Sequence, residues 1–348
     1  MKFSNFLFPA SMDANKDQQV IEETLREARL CDDLGMDMLW LAEHHFDGIC
    51  AYVDPVTFAA ALATATKNIH IGFAVAQMSL HHPIRMAEQM ALIDNISRGR
   101  LVVGLGRGTA YNVYDYQGYG IDPKEAYERL IEAEDIMIKA WTTENFKHKG
   151  KYWDIQLPLL RPRPYTKPHP RIVRACSGEE AMLGMAREGR PFLMNIQSND
   201  VTRHRMDLYR KTLRDSGHNE ATVKDCVDNT WVWRNIFVGE TDAEAERLAL
   251  KHFETQQAFR EAMRKKVYAE QGLRLKEEAE TPARNVRQHS LLCGSPATVC
   301  EALAEIDQIG VGGLILVFRL GPMPYEVAAN SIELFMKKVA PEFPKQAA

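Results

Sequence analysis

Short apolar segments rich in β-branched and aromatic residues alternate with longer amphipathic stretches almost from end to end of the chain. Eight of the short segments read as strands, at 2–8, 38–42, 69–76, 101–105, 171–175, 192–196, 231–238 and 314–318. Nearly continuous apolar runs of this kind suit strands buried on both faces. Helical spacing predicts helices over 18–34, 55–66, 84–96, 124–142, 180–188, 201–216, 243–265, 297–309 and 327–339. Gly35, Gly189, Gly217 and Gly310 stand where four of these should stop. The alternation predicts βα units around a parallel sheet, and eight units predict a TIM (β/α)8 barrel of the α/β class, one domain over residues 1–348 with loop insertions. Two stretches break the rhythm. Residues 144–170 are extended and proline-rich and read as a barrel loop in preference to a linker, because an apolar strand follows at once. Residues 265–293 are polar and weakly periodic, which suits a solvated surface loop or a mobile lid over the barrel mouth.

Length alone leaves open whether 348 residues make two average domains or one large barrel, so the pattern decides. Forty-three Lys and Arg against 47 Asp and Glu give a net charge of −4 without a basic cluster. That balance argues against a nucleic-acid surface and leaves small molecules as the expected partners. No apolar run suits a membrane span, and MKFSNFLFPASMD lacks the apolar core of a secretion signal, so a cytoplasmic location is expected. Six cysteines without a C-x-x-C read as reduced thiols.

The sharpest candidate chemistry is EHHF, Glu43 to Phe46, at the carboxyl end of the expected second strand, the face on which barrel enzymes carry their catalytic groups. Neighbours on extended backbone point to opposite sides, so His44 and His45 cannot easily share a metal ion, and no metal site is expected. One imidazole aimed at the pocket for proton transfer, with the other packed, is the functional reading; two ordinary polar loop residues are the alternative. Gly104-Leu105-Gly106-Arg107-Gly108 has the wrong spacing for a dinucleotide fingerprint and opens an aromatic loop instead of a helix. Its glycines permit close backbone approach to a planar ligand, and Arg107 suits either a phosphate or a structural ion pair. Cys176-Ser177-Gly178 precedes a helix, offering backbone N–H groups to a phosphate, with Ser177 as a plain N-cap also open. Cys176 itself reads as packing. His81-His82-Pro83 reads as helix initiation, His82 making at most a supporting contact.

Taken in order, MKFSNFLF, LWLAEHHF, IGFAVAQMSLHHPIRMAEQMALIDNISRGRLVVGLGRG and GSPATVCEALAEIDQIGVGGLILVF resemble the bacterial luciferase-like flavin monooxygenases. The resemblance is closest over residues 1–145, where the register follows the luciferase α subunit, and weak over 190–290. It implies a barrel that takes reduced FMN (FMNH2) from a separate NAD(P)H-dependent flavin reductase and uses O2, through a flavin C4a-peroxide, to oxidise a hydrophobic aldehyde, ketone, terpenoid or alkane. It implies that His44 is the catalytic histidine and that Glu43 lies against the same pocket. Ala74–Val75 falls at the place of a non-proline cis peptide under the flavin. Arg107 and Arg129 match phosphate-binding arginines, Cys176, Ser177 and Gly178 the phosphate loop, and Tyr111 an aromatic neighbour of the flavin. Dimerisation, with a like or a related chain, through helices near the second and third strands is also implied. Tyr111, Tyr114, Tyr116, Phe73 and Met78 are expected to make an apolar pocket mouth. Gly106 stands where the luciferase α subunit has cysteine, and residues 194–197 replace a tryptophan-bearing segment, so neither light emission nor a long-chain aldehyde is implied. The rival expectations are a coenzyme F420-dependent oxidoreductase on the same barrel and a catalytically silent partner subunit, the latter disfavoured by retention of His44.

Overall fold

The computed structural model describes residues 1–46, 48–108, 112–272 and 286–344. Eight parallel strands close on themselves: β1 (Lys2–Leu7), β2 (Met38–Leu41), β3 (His70–Phe73), β4 (Leu101–Gly106), β5 (Arg171–Cys176), β6 (Phe192–Met194), β7 (Trp231–Val238) and β8 (Gly313–Val317). Each pairs with the next in register, Ser4 beside Met38 and Val102 beside Arg171, and β8 returns to β1 with Lys2 beside Gly313. This is the expected α/β TIM barrel, with helices between strands. Among the described residues no helix is long and apolar enough to cross a membrane.

Side-chain alternation along the strands divides the core in two. Leu39, Leu41, Ile71, Phe73, Val103, Leu105, Val232, Leu314 and Leu316 pack in one cluster with the surrounding helices. Phe6, Met38, Trp40, Ala42, Val173, Leu193, Trp231, Ile315 and Val317, their strand neighbours, join a second cluster that fills the barrel. Trp40 is wholly buried and meets the Trp231 ring edge-on at 5.5 Å. Glycine on β3 and β4 makes that possible. A Cβ at Gly72 would lie 2.4 Å from the Met38 Cε and 2.6 Å from the Trp40 Cζ3, and one at Gly104 would lie 1.6 Å from the Phe73 carbonyl oxygen.

The helices start and stop as their sequences dictate. Asp54 caps Pro55–Ala65 through the Val56 and Thr57 N–H groups, and Ser295 caps Pro296–Ile309, which ends at left-handed Gly310. The long helix Asp242–Glu270 begins on a Thr241 cap.

Four expectations need correction. The strand expected at 69–76 is broken: β3 stops at Phe73, the Ala74–Val75 peptide is cis, and Ala76–Gln77 then pairs separately with β4. Residues 144–170 include an antiparallel hairpin, Phe146–Lys149 with Asp154–Leu157. Its turn is pinned by Glu132, which accepts the backbone N–H groups of Lys151, Tyr152 and Trp153. Helix Glu220–Asp228 was not expected, since only Val223 and Cys226 on it are buried. The insertion expected at 265–293 is ordered at both ends. The long helix runs to Glu270, while helix Arg287–Ser290 leads into strand Leu291–Gly294, which pairs with the upper half of β7. Residues 273–285 lie outside the described part.

Candidate active site

At the carboxyl end of β2 the chain runs through Ala42, Glu43, His44 and His45 to the barrel mouth. Glu43 and His45 are buried, whereas His44 keeps accessible surface and meets the Phe8 ring edge-on at 5.2 Å. The two histidines thus divide: His44 faces the mouth and His45 faces the protein.

Glu43 is a hub. Its Oε1 accepts Nε2 of His45 at 2.9 Å and Nε2 of His81 at 2.5 Å, and its Oε2 accepts the Gln77 backbone N–H at 2.5 Å. Burial pushes the carboxyl pKa up, but the hydrogen bonds from the two imidazoles and from Gln77 outweigh it and hold Glu43 at about 2. The same pair acts on His81, where burial pushes the pKa down and the Glu43 hydrogen bond and charge carry it above its ordinary value. With Nε2 donating to Glu43, the His45 Nδ1 is left facing the Tyr119 hydroxyl at 3.4 Å.

Asp115 is the second hub. It accepts the His45 backbone N–H at 3.0 Å, the Gln77 Nε2 at 2.6 Å and the Asn112 Nδ2 at 3.1 Å, and burial raises its pKa. Gln77 Nε2 also donates to the Glu43 carbonyl, so Gln77 clamps both acids. Asn112 Nδ2 in turn lies 3.5 Å from the His44 Nδ1. The loop after β4 is thereby tied to the loop after β2, and His44 is presented from a rigid base.

The pH dependence follows. Glu43, with a folded pKa depressed from an ordinary 4.5, contributes stability that is complete above 4.5 and fades as pH falls towards about 2. His81, raised from an ordinary 6.5, contributes stability that is complete below 6.5 and is lost as pH rises through its folded value. Both act together between 4.5 and 6.5. The Tm difference between wild type and Glu43→Gln should therefore peak in that window and shrink on either side. A Tm difference independent of pH from 3 to 9 would contradict the pairing.

Other expected site residues fall as follows. Arg107 is exposed at the end of β4, and its carbonyl accepts the Tyr116 hydroxyl. Arg129 Nε bonds Glu125 at 2.8 Å and its guanidinium lies 4.5 Å over the Tyr152 ring, contacts that Arg107 does not share. Cys176 is buried, and burial pushes its thiol up to about 12, which leaves it a packing group at neutral pH. Ser177 and Gly178 are exposed. The N-cap of helix Glu179–Arg187 is Gly178, so the plain-cap reading of Ser177 is corrected and no side chain caps the start of that helix. Tyr111 lies outside the described residues.

The expected pocket mouth is corrected at Phe73, Met78 and Tyr116; Tyr114 is half-buried, and Tyr111 is outside the described residues. Phe73 and Met78 are wholly buried in the helix-facing core, Tyr116 is buried against the Ser79 hydroxyl at 2.8 Å, and Tyr114 bonds Glu270. The exposed positions at the top of the barrel are different. Ala175 shares its strand face with lumen-facing Val173 yet is exposed, and Val75, Phe8 and Trp233 are half-buried. Gly106 lies against Val75, where a Cβ would come 2.5 Å from its Cγ2. Sequence reasoning missed Gln77, His81, Asn112, Asp115 and Tyr119, and it credited a supporting contact to His82. His82 is the exposed N-cap residue of Pro83–Ser97, and it is His81 that reaches Glu43.

A half-exposed histidine on a fixed base at the barrel mouth can exchange a proton with a bound molecule without being displaced by it. Comparison with known proteins supports an enzyme. The sequence model of the family described as luciferase-like monooxygenase matches residues 1–312. The chain is 27% identical over 228 residues to the alkanal monooxygenase alpha chain of the Kryptophanaron alfredi symbiont, covering 65% of this chain and 63% of that one. It is 30% identical over 173 residues to the oxygenase component of the flavin-dependent trigonelline monooxygenase of Acinetobacter baylyi, covering 49% and 48%. It therefore spans less than two thirds of the length of either relative. The crystal structure of monooxygenase RslO1 from Streptomyces bottropensis matches with a TM-score of 0.83 at 25% identity, over 99% of this chain and 100% of that one. The chain belongs to the luciferase-like monooxygenase family.

Proposed function

We propose that this protein is the oxygenase of a two-component system. It takes FMNH2 from a separate NAD(P)H-dependent flavin reductase and uses O2 to oxidise an uncharged, apolar small molecule. The observation that supports the reading is the half-exposed His44 at the carboxyl end of β2, on the same end of the barrel as the small residues Ala74, Gly106 and Ala175, the last of which leads into a helix start that no side chain caps. Small residues leave room for a flat ring system, and uncapped helix N–H groups suit a phosphate.

When bound, reduced FMN supplies the electrons with which O2 is activated. The rest falls to this chain. Ser177 and Gly178, with the start of helix Glu179–Arg187, would hold the phosphate, joined by Arg107; Arg129 is a further candidate whose guanidinium would first have to leave Tyr152. Ala74, Val75 and Gly106 would bear on the ring, and Tyr111 would be its aromatic neighbour. His44 would hold or deliver the proton at its imidazole, with Glu43 and Asp115 fixing the backbone that carries it. Phe8, Val75 and Trp233 would exclude water from the reacting centre.

Arg107→Ala should weaken FMNH2 binding by about 1.5–3 kcal/mol, the scale of a charge-assisted contact. Riboflavin, lacking the phosphate, should bind wild type and variant alike. Unchanged FMNH2 affinity in an anaerobic fluorescence titration would remove Arg107 from the site.

A further inference from the structure

The top of the barrel has two unlike walls. One is built of the small residues just described. The other is aromatic: the Phe6 and Phe8 rings lie parallel with centroids 6.1 Å apart, Phe6 meets the Trp233 ring edge-on at 4.5 Å, and Phe8 meets the His44 ring at 5.2 Å. An unbroken run of rings thus leads from His44 to Trp233. Phe8 and Trp233 keep accessible surface, whereas the layer beneath them is closed, with Phe6 at 5%, Trp231 at 4% and Trp40 at 0% exposure. Beneath Phe8 and Trp233 the lumen is therefore filled by aromatic side chains. Its polar neighbours at the end of β6, Asn195 and Gln197, bond each other at 3.0 Å and bring no charge.

We propose that Phe8 and Trp233 are the specificity-determining surface of the site, and that they select a compact, uncharged ring compound over a straight-chain compound of equal carbon number. The choice of wall rests on the function proposed above, since a flavin on the small-residue side leaves the aromatic side to the substrate. Rings pack against rings with little loss of internal freedom, edge to face or offset. A straight chain would need a channel running down the lumen. The Phe6, Trp40 and Trp231 floor denies it one, so the chain would have to fold back on itself at an entropic cost. The Phe8 and Trp233 rings themselves offer a charged compound no ion pair, so packing it against them would desolvate it without compensation.

The test is calorimetric binding of a ten-carbon bicyclic ketone and of decan-2-one to FMN-loaded and FMN-free protein, in wild type, Trp233→Ala, Trp233→Phe and Phe8→Leu. Wild type should bind the bicyclic ketone roughly tenfold or more tighter than the linear one. Trp233→Ala should lose about tenfold for the bicyclic ketone and change the linear one by less than about threefold. Trp233→Phe, which keeps a ring and protects against a folding defect, should retain most of the discrimination, and Phe8→Leu should lose part of it. Equal affinity of wild type for the two ketones, no binding of either, or equal losses for both in Trp233→Ala would overturn the proposal. Anaerobic FMNH2 titration of the same samples separates the two readings. Ring discrimination without FMNH2 binding sinks the flavin reading alone, and FMNH2 binding without ring discrimination sinks this one alone.

Discussion

His44→Ala should yield a folded protein that binds FMNH2 nearly normally and oxidises substrate about 10²–10⁴-fold more slowly, the usual scale for a general acid–base group. The structural grounds are its partial exposure at the mouth and the edge contact with Phe8, which an alanine loses at modest cost. His45 supplies the control. It is buried, it donates to Glu43 at 2.9 Å, and its backbone is held by Asp115. Removing its ring leaves a buried carboxylate short of a donor, which costs about 1–3 kcal/mol in stability and should spare the turnover of whatever remains folded. Melting temperature, FMNH2 affinity and single-turnover product yield, measured for both variants, separate the roles. A stable His44→Ala protein with near-normal oxidation would end the catalytic assignment. A larger chemical loss in His45→Ala would transfer the role to its neighbour.

Gly104→Ala should destabilise the protein by about 3 kcal/mol or more, enough to deplete the soluble folded form. The added Cβ would sit 1.6 Å from the carbonyl oxygen of Phe73 and 2.8 Å from its carbonyl carbon. Both are backbone atoms of β3, so no side-chain rotation relieves the overlap, and the strands would have to part. Gly72→Ala is the informative comparison, because the nearest atom there is the Met38 Cε, the end of a flexible side chain, although the Trp40 ring at 2.6 Å gives less. Urea unfolding of both variants checks the ranking. A loss below about 1 kcal/mol for Gly104→Ala would show that the barrel absorbs the insertion by shifting strands.

The barrel was legible because its strands are buried on both faces and therefore read as apolar runs that only the helices interrupt. What escaped was short or weakly apolar. Leu291–Gly294 is four residues of strand within a polar stretch, and Glu220–Asp228 buries only two side chains. EHHF was legible as a candidate site because it stands at a strand end, and the difference in exposure between His44 and His45 follows from alternation. The network beneath them was not, since Gln77, His81 and Asp115 come from segments that only the fold brings together. The exchange of His81 for His82 has a local cause: Pro83 opens a helix, which makes His82 its N-cap residue, and His82 is exposed while the ring before it reaches inward to Glu43. Part of the expected pocket mouth failed because Phe73, Met78 and Tyr116 looked available in sequence, while all three are consumed by packing. A signal for the proposed aromatic wall was present in the two-residue spacing of Phe6 with Phe8 and of Trp231 with Trp233, which puts each pair on one strand face.

The most direct test of the central claim is anaerobic titration of the purified chain with FMNH2 and, separately, with reduced coenzyme F420, each followed by a pulse of O2. The proposed function predicts saturable binding of one FMNH2 per chain, no competition from reduced F420, and oxidation of the bound flavin when O2 is admitted. Saturable binding of reduced F420 with none of FMNH2, or bound FMNH2 that stays reduced under O2, would contradict it.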